Sequence, residues 1–113
     1  MTSSKPILLV EDNPDDVELT MMAFQEARIA NPIEVLRNGP DALDYLFGEG
    51  RFAARDASVQ PVVVLLDLKL PRIDGLEVLR RLRADVRTRM QPVVILTSSK
   101  EEQDLVQGYG LGA

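Results

Sequence analysis

The sequence has no cysteine, no histidine and no tryptophan, and only 4% of its 113 residues are aromatic. Without cysteine there is no disulfide framework and no thiol chemistry. Without histidine, a His-based catalytic triad and a His-ligated zinc site are excluded. No apolar run approaches the roughly 18 residues of a membrane-spanning helix. The N-terminal MTSSKP lacks the charged-then-apolar pattern of a signal peptide. Basic residues number 13 against 18 acidic ones, a net charge of −5, so no basic stripe is present to neutralise nucleic-acid phosphates. These absences point to an acidic, soluble, cytoplasmic domain that binds neither nucleic acid nor membrane. A length of 113 residues suffices for one domain and is too short for two. Hydrophobic residues make up 45% of the chain, enough for a single core.

What the chain does have is apolar runs that end in acids. In residues 61–75, PVVVLLDLKLPRIDG, the run Val62, Val63, Val64, Leu65 and Leu66 stops at Asp67. A short run, β-branched at its start and preceded by proline, reads as a strand buried on both faces rather than as buried helix. Pro6 to Val10 is a second such run, ending in Glu11 and Asp12. Ligands of open parallel sheets bind at the carboxyl edge of the strands, where these three acids emerge. If the two strands are neighbours, about 4.8 Å separates them, and three carboxylates that close require a cation or protons. An all-oxygen donor set suits a hard divalent ion such as Mg²⁺. The plainer alternative is that Glu11 and Asp12 only begin a helix.

The remaining elements follow in order. Asn13, Pro14, Asp15 and Asp16 form a helix start. Val17, Met21 and Phe24 share one face of that helix, with Met21 and Met22 read as core filler. Asn31-Pro32 ends it, and residues 33–37, IEVLR, read as a polar edge strand. Asn38-Gly39 turns the chain, and Pro40 opens a second helix carrying Ala42, Leu43, Leu46 and Phe47. Residues 51–60 read as a mobile surface connection with at most one helical turn. Asp74 caps a third helix, with Glu77 at capping-box spacing and Leu76, Leu79 and Leu82 or Arg83 as its apolar stripe. Arg80, Arg81, Arg83, Arg87 and Arg89 are read as a solvated basic face. Strand four, residues 93–96, leads to Thr97, Ser98 and Ser99. A last helix starts near Lys100, with Ser99 and Glu102 in capping relation and with Leu105, Val106 and Tyr109. Strict alternation of strands and helices predicts an α/β fold, a doubly wound parallel sheet.

ILLVEDNPDD, VVVLLDLKLPRIDG and VVILTSS, in that order and approximate spacing, resemble the receiver domain of two-component response regulators. The resemblance covers essentially the whole chain. The segment YLFGEGRFAARDASVQP and the ending TSSKEEQDLVQGYGLGA are similar to stand-alone receivers that work with bacteriophytochrome-type histidine kinases. It implies a flavodoxin-like sheet in the order 2-1-3-4, with the family's fifth strand and fifth helix missing, so that residues 1–113 form a single receiver domain incomplete at its C-terminus. It implies that Asp67 accepts a phosphoryl group from a phosphohistidine of a sensor histidine kinase, in a Mg²⁺-dependent reaction, and that the domain is not an enzyme. Glu11, Asp12, Asp67 and the backbone carbonyl of Lys69 would ligate the metal. The Thr97 hydroxyl would bond a phosphoryl oxygen and begin the switch of a protein-interaction surface. A homodimer is a further expected association. The family's aromatic switch residue and phosphoryl-contacting lysine lie beyond Ala113, and strand four is left as an open apolar edge. Two rivals remain. One is a receiver-like binding module that never carries phosphate. The other is a Mg²⁺-dependent phosphatase of the haloacid-dehalogenase type, which needs a second Asp where Lys69 stands.

Overall fold

The structure, a computed structural model, describes residues 5–96, 100–108 and 110–112. Four strands alternate with four helices: β1 (Ile7–Val10), α1 (Pro14–Glu26), β2 (Ile33–Leu36), α2 (Gly39–Phe47), β3 (Val63–Leu66), α3 (Gly75–Ala84), β4 (Val93–Ile95) and α4 (Lys100–Gly108). A single 3₁₀ turn, Gly50–Phe52, opens the long connection after α2. It folds back onto that helix, with Tyr45 and Phe52 edge to face at 5.2 Å and Arg55 over the Tyr45 ring at 4.1 Å.

All strand pairs are parallel, in the order β2-β1-β3-β4. This is the expected flavodoxin-like order, and the polar strand β2 lies at an edge as its composition indicated. Val10 is in register with Leu66, so Glu11 and Asp67 leave the sheet side by side. The ladder continues past the strands: the Asp67 amide donates to the Val10 carbonyl at 3.0 Å, and the Glu11 amide to that of Leu36 at 3.0 Å.

Right-handed crossovers place α1 on one face of the sheet and α2 and α3 on the other. The second face holds the main core, where Leu8, Val10, Val64 and Leu66 pack with Leu46, Val78, Leu79 and Leu82. The first face is covered by α1 alone among the described residues, and five sequence expectations change. Strand β3 is buried on one side only, because Val63 and Leu65 point to the α1 face and are half-buried. Met21 and Met22 are not core filler: they are 39% and 50% exposed, and α1 buries no residue fully. In α3 the buried stripe is Val78, Leu79 and Leu82, with Leu76 only half-buried. Arg83 is not a solvated charge. Its guanidinium donates to the carbonyls of Leu111, Arg89, Gln91 and Gly112 at 2.6 to 3.1 Å. Asn38 is the N-cap of α2 rather than a turn residue, its Oδ1 accepting from the Asp41 amide at 2.8 Å, and the helix starts at Gly39. No helix among the described residues is long and apolar enough to cross a membrane.

Candidate functional site

Two loops, each following an interior strand, build the site. After β1, Asn13 turns the chain into α1: its Oδ1 accepts from the amides of Asp15 and Asp16 at 2.9 and 3.4 Å. Pro14 at the first helical position presets the backbone. This fixes Glu11 and Asp12 in the loop just before the helix. After β3, the Lys69 amide donates to Asp67 Oδ1 at 3.1 Å and holds that carboxylate toward its own loop. The Gly75 amide closes the loop by donating to the Leu68 carbonyl at 3.0 Å. A Cβ at Gly75 would collide with the Asp67 carbonyl oxygen and with the Leu68 Cα, so only glycine lets α3 start so near the site. Asp74 caps α3 as the sequence predicted, its Oδ1 accepting from the Glu77 amide at 2.9 Å, while the Glu77 carboxylate accepts from Arg80 and Arg81.

The outcome is that Glu11, Asp12 and Asp67 each offer a carboxylate oxygen within 4.8 Å of the others. Glu11 is buried, Asp67 half-buried and Asp12 exposed, so the cluster opens to solvent on one side. The cleft above it is also bordered by Asp16, Leu19, Lys69 and Leu96. Burial pushes the Glu11 carboxyl up from 4.5 to about 7, and the neighbouring Asp67 carboxylate pushes the same way. The Asn13 amide, donating to Glu11 Oε2 at 3.3 Å, opposes the rise without cancelling it. A carboxyl pushed toward its protonated form by burial, and further by adjacent carboxylates, sits among negative charge that the protein itself does not balance. The all-oxygen donors, their spacing and this unbalanced charge fit a hard divalent cation such as Mg²⁺.

Of the residues singled out in the sequence, Glu11, Asp12 and Asp67 come together, and Lys69 borders their cleft. Thr97, Ser99 and Tyr109 lie outside the described residues. The described end of strand four still reaches the cleft through Leu96, whose amide donates to the Leu66 carbonyl at 2.9 Å. Two features went unread. Asp16, read only as a first-turn acid of α1, also borders the cleft and pushes the Glu11 carboxyl further up. Its place in the first turn after the Asn13 cap was the available signal. The Lys69 side chain reaches away from the acids, its Nζ 3.6 Å from Glu102 Oε1 on α4, a pairing between distant segments that spacing cannot show.

Comparison with known proteins gives one consistent result. A family model for the response regulator receiver domain matches residues 7–113. The chain is 45% identical over 103 residues to the probable methanogenesis regulatory protein FilR2 of Methanothrix harundinacea, covering 91% of this chain and 64% of that protein. The bacteriophytochrome response regulator RtBRR superposes with a TM-score of 0.91 at 52% identity, covering 97% of this chain and 66% of that one. The Mn²⁺-bound form of the response regulator Rcp1, a Synechocystis protein, superposes with a TM-score of 0.82 at 36% identity, covering 95% and 75%. The chain thus spans about two thirds of the length of FilR2 and RtBRR.

Proposed function

Because the chain belongs to the response regulator receiver family, we propose that residues 1–113 form one receiver domain that takes a phosphoryl group onto Asp67 from the phosphohistidine of a sensor histidine kinase. The observation that carries this reading is the cluster of Glu11, Asp12 and Asp67 at the carboxyl edge of β1 and β3. Likeness to bacteriophytochrome response regulators supports a phytochrome-type kinase as the donor.

In the proposed step an Asp67 carboxylate oxygen attacks phosphorus. A P–O bond forms as the P–N bond to the donor imidazole breaks, and the electron pair returns to the ring nitrogen. The product is an acyl phosphate on Asp67. Mg²⁺, held by Glu11, Asp12, Asp67 and the backbone carbonyl of Lys69, would offset the repulsion between carboxylate and phosphoryl oxygens. The Lys69 amide, bonded to Asp67 Oδ1, orients the nucleophile. Thr97 follows Leu96, which borders the cleft, and in this reading its hydroxyl donates to a phosphoryl oxygen.

The test is intact mass after incubation with Mg²⁺ and a small acyl-phosphate donor. The expected result is a gain of one phosphoryl group that needs Mg²⁺ and is lost in Asp67→Asn. A folded chain that gains nothing, or an Asn variant that gains equally, would refute the assignment.

A further inference from the structure

Lys69 stands on a boundary. It borders the acidic cleft with Glu11, Asp12 and Asp67, and it borders the neighbouring groove with Leu76, Glu102 and Leu105. Among the described residues lining either hollow it is the only cation. Its side chain is 78% exposed, and its ammonium lies 3.6 Å from Glu102 Oε1, on a side chain only 20% exposed. A lysine stem has four rotatable carbons, so an ammonium at this position can turn either to Glu102 or to the three carboxylates beside it. In the cleft it would occupy charge that the metal otherwise neutralises.

We propose that Glu102 is a positioning residue for the metal site: by pairing with Lys69 it holds the ammonium out of the acidic cleft and leaves the cleft open to a divalent cation. This rests on the reading of Glu11, Asp12 and Asp67 as a Mg²⁺ site. Linkage makes the effect reciprocal. A cation in the cleft repels the Lys69 ammonium toward Glu102, and so tightens the attachment of α4. That helix is well placed to respond, because Val106 is its only buried residue.

The experiment is calorimetric titration of the folded chain with Mg²⁺ alone, for the wild type, Glu102→Gln, Lys69→Gln and the double variant. Lys69→Gln keeps the backbone carbonyl in place and removes only the ammonium. The expected result is that Glu102→Gln weakens Mg²⁺ binding roughly three- to tenfold at low salt, the range for a unit charge near a divalent ion in water-like screening. The double variant and Lys69→Gln should bind at least as tightly as the wild type. Hydrogen exchange of the α4 amides supplies a second readout: Mg²⁺ should slow it in the wild type and not in Lys69→Gln. If Glu102→Gln binds Mg²⁺ like the wild type, or binds equally weakly with Lys69→Gln beside it, the positioning role is overturned while the metal site stands. If the wild type binds no Mg²⁺, or binds it unchanged in Asp12→Asn, the metal site itself falls and this role with it.

Discussion

At Glu11 the fold changes the chemistry of a single carboxyl. Its value rises from 4.5 to about 7 through burial and the Asp67 carboxylate. Between those values the native state holds a proton that the unfolded chain has released. Metal-free stability must therefore fall as pH rises through that window, by up to about 3 kcal/mol. Asp85, held down at about 2 by its hydrogen bonds from Arg87, changes stability only at lower pH and does not confuse the test. Thermal unfolding without divalent ions should show a higher midpoint at pH 5 than at pH 8, and Glu11→Gln should remove most of the difference. Mg²⁺ takes the deprotonated acid, so adding it at pH 8 should raise the wild-type midpoint more than at pH 5. Gly75 carries the opposite kind of constraint, one of space. Gly75→Ala should cost about 2 kcal/mol or more in denaturant unfolding, because the Asp67 carbonyl and the Leu68 backbone must move. The same variant should also weaken Mg²⁺ binding, since those atoms belong to the site loop.

At the scale of elements, the two faces of the sheet behave differently. Leu79 of α3 is fully buried in the core, and Leu79→Ala should cost about 2–4 kcal/mol. Met22 of α1 is half exposed, and Met22→Gln should change stability by no more than about 0.5 kcal/mol in this chain. Chemical denaturation of both variants checks the contrast. The sequence made the elements themselves readable, because each signal is local: Asn13 with Pro14, Asp74 with Glu77, and the apolar runs ending at Val10 and Leu66. It misjudged what covers them, because periodicity says which residues share a face and not what lies opposite. Met21 has core-like spacing with Val17 and Phe24, yet on the α1 side of the sheet Ile7 and Leu9 of β1 are buried while Val63 and Leu65 of β3 stay half-buried, and Met21 itself remains partly exposed. Arg83 was misread for the same reason. A cation at the end of an amphipathic helix looks solvated until segments some 28 residues away bring their carbonyls to it.

At the scale of the whole molecule, the acid cluster exists because strand order brings β1 beside β3. Neither acid-ended run signals a site alone, and three carboxylates converge only when Val10 and Leu66 fall in register. The carboxylate part of the candidate site was thus readable once the strand order followed from the family resemblance. The Lys69–Glu102 pair was not, because it joins the β3–α3 loop to α4 through side chains alone. Arg83 performs a similar long-range task, tying α3 to the β4 entry and to residues 111 and 112. Arg83→Ala should leave four carbonyls without this donor, and faster hydrogen exchange at residues 110–112 would register the loss. The central claim is that Asp67, and neither of its acidic neighbours, is the carboxylate that carries the phosphoryl group. The most direct measurement is borohydride reduction of the chain after treatment with Mg²⁺ and an acyl-phosphate donor, followed by peptide mapping. Borohydride converts an aspartyl phosphate to homoserine, and the account predicts that product at position 67 alone. Reduction at Glu11 or Asp12, or at no position in a chain that has gained phosphoryl mass, would contradict it.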